Sequence, residues 1–523
     1  MQKFRLALAA NVAVFLSGCA SGPNYTTPHI WVPANFELSR ALGSVAKTSA
    51  STIPPESAVR WWDTLHDPEL SALVQQAIVT NPDIGIALAR VQEAREQEIA
   101  VAGVALPQGN ADGAIAGGSG TDSVKGRIPP SIDAGVNTTG FREITRVIGF
   151  DAGWELDLFG KYRRELEAAR YETEAAIEAR NAVLIVVVAD VARNYIELRG
   201  LQTRIKVAQE NIAREQTTVD LVHTRFDRGL SNELDVTLAK RELATLQAQL
   251  PPLIAGVSDV EARIALLLGT YSGEVSGELD RPREIPRTPE RLRPGQPVDL
   301  LRRRPDIRQA ERQLASATAL VGASIADLFP RVLLTAGVGA QAGQSAVSSI
   351  PKFGGAIWSV GPGAYWSLLD FGQLDALIDV QEFRAYELLM NYRKTVLAAL
   401  GDVESAIDQY RAALQRLRKL EDALAESRRA ENLARERYER GLTDFLNVLD
   451  AQREEYGLED QVVTAKQSVV IQFVTVYKAL GGGWELYESL PPIPKPQPAI
   501  LATFRRLSQP GQTWLSVPPP PRP

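Results

Sequence analysis

Residues able to do covalent chemistry are few in this sequence, and they are not arranged for it. Three histidines (His29, His66 and His223) and one cysteine, Cys19, are scattered over 523 residues. None has the close spacing with which such side chains gather around zinc. There is no G-x-S-x-G elbow, no H-E-x-x-H helix and no Walker loop. Between Gly153 and Gly160-Lys161 stand six residues where a phosphate loop needs four. Acidic side chains are plentiful, but on helical faces solvation accounts for them. A net charge of −6 over this length gives no electrostatic reason to expect nucleic acid. The pattern argues against an enzyme and implies no cofactor. What remains is the thiol of Cys19.

Lys3 and Arg5 precede an apolar run, Leu6–Leu16, broken only by Asn11. It is too short to span a bilayer and reads as a secretory signal over residues 1–18. Leu16-Ser17-Gly18-Cys19 resembles the lipobox of bacterial lipoproteins. That resemblance implies that Cys19 is acylated and becomes the mature N-terminus. Ala20, rather than aspartate, follows it, which by the same resemblance implies delivery to the outer membrane. An exported chain with a single cysteine has no internal disulfide, so packing and assembly must hold it.

The longest element is a helix expected over residues 161–228. No proline interrupts it, and Gly200 is its only glycine before the end. Ile177, Leu184, Val191, Leu198, Ile205, Ile212, Val219 and Phe226 form a seven-step ladder, with a second, small one at Ala168, Ala175, Ala182 and Ala189. Such spacing keeps a seam against a partner helix, and small residues let axes come close. At 1.5 Å per residue the helix is roughly 100 Å long. Taken alone, the stretch fits a dimeric coiled coil equally well.

What surrounds it recurs. Asn81-Pro82-Asp83-Ile84 and Arg304-Pro305-Asp306-Ile307 each open a helix, expected to end at Leu106-Pro107 and Phe329-Pro330. Trp154…Phe159-Gly160 matches Trp366…Phe371-Gly372, and Arg225–Leu230 matches Arg437–Leu442. Two internal structural repeats follow, 81–268 and 304–480. Each is a helix, a β-hairpin (107–157; 331–367), a long helix (161–228; 373–440) and a shorter helix (233–268; 445–480). Residues 269–303, rich in proline and arginine, are the connector. Within the segment 19–80, residues 23–62 drape over the fold and a short helix follows at about 68–79; 481–523 is a proline-rich tail.

In the hairpins the period changes to two. Ile148, Phe150, Ala152, Trp154 and Leu156 alternate with Gly149, Asp151, Gly153, Glu155 and Asp157. Val332, Leu334, Ala336, Val338 and Ala340 alternate with Leu333, Thr335, Gly337, Gly339 and Gln341, and a partner strand places Trp358, Val360, Pro362, Ala364 and Trp366 on one face. The tips, 117–126 and 343–355, are rich in glycine and serine. Strands with one apolar face and one polar or small face suit a transmembrane barrel wall. About four strands cannot close a barrel, and an open sheet in lipid leaves bare backbone groups at several kcal/mol each. The wall must therefore be shared between chains; the physics alone does not choose two, three or four.

These residues together resemble the TolC family of outer-membrane efflux channels, in its lipoprotein branch of NodT and OprM type. The motifs carrying the resemblance are LSGC at 16–19, NPDI at 81–84, WELDLFGK at 154–161, RFDRGLSNELDV at 225–236, LLRRRPDIRQAE at 300–311, RYERGLTDFLNVLDAQR at 437–453 and ALGGGW at 479–484. The resemblance implies a homotrimer. Its long α-helical coiled-coil tunnel is continuous with a 12-stranded transmembrane β-barrel, three chains of about four strands each. It implies that 19–80 and 269–303 contribute to an equatorial region, and that outer-membrane lipid surrounds the barrel. It also implies the function, a passive exit duct for small toxic compounds. The partners would be a periplasmic adaptor (membrane fusion protein) and an inner-membrane pump of the resistance-nodulation-division (RND) class.

On this chain the adaptor-contact tips fall at Arg228, Gly229, Leu230, Arg440, Gly441 and Leu442. The periplasmic gate falls on Leu446, Asn447 and Asp450, with three copies of Asp450 forming an acidic ring. Asp235 and Tyr438 match a pair that hydrogen-bonds in relatives. Thr443 stands where those relatives carry a basic residue, which puts part of the lock in doubt. Two other readings are a channel for type I protein secretion and a structural coiled-coil protein of the envelope. The second leaves two amphipathic hairpins unexplained.

Overall fold

The computed structural model describes residues 20–38, 59–118, 143–289, 296–345 and 352–485. The signal segment, Cys19, the centres of both hairpin tips and the tail beyond 485 lie outside the described residues. A 3-10 helix, Trp61–Leu65, precedes α1 (Pro68–Thr80) and α2 (Pro82–Val104). Strands β1 (Gln108–Gly118) and β2 (Glu143–Leu156) lead to α3 (Lys161–Asp227), α4 (Glu233–Leu267) and α5 (Ser272–Leu279). After the helical turn Leu300–Arg303 come α6 (Pro305–Ala326), β3 (Arg331–Ser345), β4 (Lys352–Tyr365), α7 (Gln373–Glu439) and α8 (Phe445–Ala479). Among the described residues no helix is long and apolar enough to cross a membrane.

Lengths recur in this order. Both α3 and α7 have 67 residues, and both α4 and α8 have 35. Helices α2 and α6 have 23 and 22 residues and stop short of the expected ends at Leu106 and Phe329. The residue before a proline disfavours helical backbone. Each helix therefore closes on a tighter turn, Leu106 N–H to Gly103 O at 3.1 Å and Phe329 N–H to Ala326 O at 3.2 Å. The connector is more ordered than its composition suggests, since it contains α5.

The chain divides into two compact units. One comprises residues 1–29, 91–176 and 309–393 and holds the strands. They form a single antiparallel sheet in the order β1-β2-β3-β4. Two hairpins were expected; β2 also pairs with β3 along its whole length, Glu143 opposite Ser345 and Leu156 opposite Val332. Residues directly opposite share a face. Phe150, Val338 and Trp358 are thus aligned, as are Trp154, Leu334 and Pro362. This face is apolar and exposed: Ile148, Phe150, Val338, Trp358 and Val360 are all more than half accessible. The opposite face carries Asn110 bonded to Asp151 at 3.2 Å and Arg331 paired with Glu155 at 2.5 Å. At the strand ends Trp154 Nε1 donates to Ala105 O and Trp366 Nε1 to Leu328 O, both at 3.0 Å. Nearby, Phe159 and Phe329 stack at 4.6 Å. The first described residues are tied in here. The buried Arg164 guanidinium donates to Ser21 O, Gly22 O and Asn24 Oδ1, and a Cβ on Gly160 would stand 2.7 Å from Ala20.

The other unit comprises residues 30–90, 177–308 and 394–523. Its core is aromatic around Trp61, Trp62, Tyr410, Phe473 and Tyr477. The ladder residues Leu184, Val191 and Leu198 are fully buried, as are Val396 and Val403 of α7. Arg199, with no exposure, is held by Glu69 at 2.5 Å, Gln202 at 2.6 Å and the Leu279 and Arg281 carbonyls. Short helices meet end to end. Asn81 caps α2 through Asp83 N–H and donates to Leu267 O at 2.8 Å, while Arg304, ahead of α6, donates to Ala479 O at 3.0 Å. Gly269 and Gly481, both with positive φ, permit these approaches. A Cβ on Gly269 would lie 2.5 Å from Thr80 O.

Candidate gating tip

Helices α3 and α4 are joined by a reversal at 228–232, and α7 and α8 by one at 440–444. Both turns are the same object. Gly229 and Gly441 have φ of 70°. Leu230 N–H bonds Arg225 O and Leu442 N–H bonds Arg437 O, each at 2.8 Å. Gly229 and Gly441 N–H reach Phe226 O and Tyr438 O at 2.8 and 2.9 Å. This paired pattern satisfies the last free carbonyls of a helix and needs a left-handed residue, which glycine supplies without steric cost. Arg228 and Arg440, just before the glycines, are exposed, as are Leu230 and Leu442 just after them.

Behind the turns, Val219, Val222, Val236, Ala239, Tyr438, Phe445, Val448 and Leu449 form one apolar cluster from all four helices. It divides α8 into two faces. Phe445, Val448 and Leu449 point into the cluster, whereas Leu446 (62% exposed), Asn447 and Asp450 share the open face. Asn447 Nδ2 donates to Thr443 Oγ1 at 2.8 Å. That local bond occupies both side chains that depart from the gate pattern. On the equivalent face of α4, Leu234 is exposed to the same extent as Leu446. Sequence reasoning singled out Leu446 alone, although Leu234 follows its glycine at the same interval.

No hydrogen bond joins Asp235 to Tyr438 within the chain. Tyr438 is 5% exposed, and its hydroxyl lacks a partner among the described residues. Its ring tilts against Phe445 at 5.6 Å and lies under the Arg225 guanidinium at 4.7 Å, which holds it inward. Burial pushes the Tyr438 pKa up, Arg225 opposes this, and Asp235 adds to it. Arg225 also donates to Glu439 O at 3.2 Å, so one side chain ties the two reversals together. Neither contact was legible beforehand, because both partners lie more than two hundred residues away in the chain.

Above the cluster the seam turns polar. Arg214 pairs with Glu455 at 2.7 Å and Glu459 at 2.5 Å, Arg428 with Glu459 at 2.8 Å, and Arg453 with Glu242 at 2.5 Å. The tip is therefore an apolar knot under a ring of cross-helix ion pairs. Among the described residues no cluster of side chains is suited to a metal ion.

The chain is similar to proteins of known role along most of its length. The model of a family described as outer membrane efflux protein matches residues 73–270 and 297–482. Nodulation protein T of Rhizobium leguminosarum bv. trifolii is 28% identical over 90% of this chain and 96% of its own. The pyoverdine export outer membrane protein OpmQ of Pseudomonas aeruginosa is 30% identical over 91% of this chain and 96% of its own. Among solved structures, the outer-membrane channel OprN has a TM-score of 0.77 and 35% identity, covering 89% of this chain and 100% of that one.

Proposed function

The chain belongs to the outer membrane efflux protein family, and on that premise we propose how its residues build the exit duct of a tripartite pump. It is an outer-membrane component of an efflux system. Three copies, on this reading, contribute four strands each to a 12-stranded barrel and four helical columns each to a 12-helix tunnel. The observation that carries it is the sheet: one exposed apolar face, one polar face, and two edge strands, β1 and β4, whose outer sides are unpaired among the described residues. A sheet so built is stable in lipid only when neighbouring copies pair its edges. The matching turns, tryptophan ties and end-to-end helix contacts support two copies of one unit per chain.

Cys19 carries the acyl chains. Arg164 and Gly160 fix the residues just after it against the sheet-bearing unit. At the tip, Arg228, Gly229, Leu230, Arg440, Gly441 and Leu442 receive a periplasmic adaptor, and the pump behind it is of the RND class. Leu446 with Asn447 and Asp450 narrows the closed passage, and three Asp450 carboxylates favour cations there. Opening slides the four tip helices apart as a two-state change biased by the adaptor. Planar-bilayer recording tests this. Asp450→Ala combined with Leu446→Ala should raise single-channel conductance and weaken cation preference; unchanged values would remove the gate from these residues.

A further inference from the structure

Glu215 lies on α3, twelve residues before its end at Asp227, about 18 Å up the helix. It is fully buried. Its Oε1 has no hydrogen-bond partner, and Oε2 accepts only a long bond, 3.5 Å, from the Tyr456 hydroxyl. One turn nearer the tip, buried Gln452 is also half satisfied. Its Nε2 donates to Thr218 Oγ1 at 3.1 Å and Glu431 Oε1 at 3.5 Å, while its Oε1 has no partner.

Groups from the other three helices act on Glu215: Glu242 on α4, Arg435 on α7, and Arg453 with the Tyr456 hydroxyl on α8. Arg214 on α3, Glu431 on α7 and Glu455 on α8 act in turn on Tyr456. Each arginine is already committed: Arg453 to Glu242, Arg435 to Glu431, and Arg214 to Glu455 and Glu459. Glu215 is left without an ion-pair partner among the described residues. An unpaired carboxylate with no exposure is unfavourable, whereas a protonated carboxyl is neutral.

We propose that Glu215 is a proton-operated latch for the tip: protonated, it lets α3, α4, α7 and α8 close over it; ionised, it favours hydration of this layer and release of the joint. The proposal rests on the reading of the tip as a movable gate. Burial, with Glu242 adding, pushes the Glu215 pKa up to about 7, against the opposing pull of the Tyr456 hydrogen bond, Arg435 and Arg453. The sign follows. The closed arrangement binds the proton more tightly than a hydrated open one, so closure is strongest at acid pH. It weakens as pH rises above the ordinary glutamate range, by up to about tenfold per unit. The loss levels off above about 7.

The test is open probability of the full-length protein in planar bilayers between about pH 5 and about pH 8. Wild type should open several-fold more often per unit up to neutrality and then plateau. Glu215→Gln and Glu215→Met should hold the acid-side value throughout. In detergent, the melting temperature of Glu215→Gln should exceed that of wild type at neutral pH and match it at acid pH. Conducting variants that keep the wild-type pH profile overturn the latch alone. A wild-type protein that inserts and never conducts overturns the duct, and the latch with it.

Discussion

Two glycines make the tip, and their surroundings are open. Nothing stands within 4 Å of where a Cβ on Gly229 or Gly441 would sit. Alanine there meets only the cost of left-handed backbone, about 1–2 kcal/mol. Gly441→Ala should therefore lower stability modestly without disturbing the packing, as read by chemical denaturation. Gly269→Ala should cost more, because its Cβ would also collide with Thr80 O. Equal losses at the two sites would contradict this account. The glycines were legible because a helix reversal is a local requirement written in adjacent residues. Arg225 over Tyr438 was not, and neither was the isolation of Glu215. Glu215 does carry a signal: three residues after Ile212 and seven before Val222, it takes a seam position where a charge is out of place.

Elements were legible to the extent that their signals are periodic. A seven-step ladder marks α3, and alternation marks which strand residues share a face. Pairing of β2 with β3 was hidden, since a period of two identifies faces and says nothing of a partner far along the chain. The tryptophan ties were hidden for a similar reason: an indole at a strand end reads as a membrane-interface residue, not as a donor to a particular carbonyl. Trp154→Phe removes the Nε1 bond to Ala105 O together with the five-membered part of the indole, and keeps a six-membered ring in place. The expected loss is about 1 kcal/mol, measured by thermal melting in detergent, and Trp366→Phe should cost a similar amount. A neutral Trp154→Phe would mean that the junction of α2 and β1 is held elsewhere.

At the scale of the whole molecule, the proposed duct needs more than one chain. The sheet of one chain ends in β1 and β4, and its α7 exposes Leu377, Val380, Phe383 and Tyr386. On the proposed reading these surfaces meet neighbouring copies of the chain. Mass measurement of the detergent-solubilised protein should return three chains; a single chain would remove the shared wall. The open sheet edges carry a genetic corollary. If every ring needs three sound rims, a cell making equal amounts of normal and edge-damaged polypeptide retains only about one intact ring in eight. An allele with proline placed in β4 should thus sensitise cells that still carry a normal copy, whereas a null allele should not.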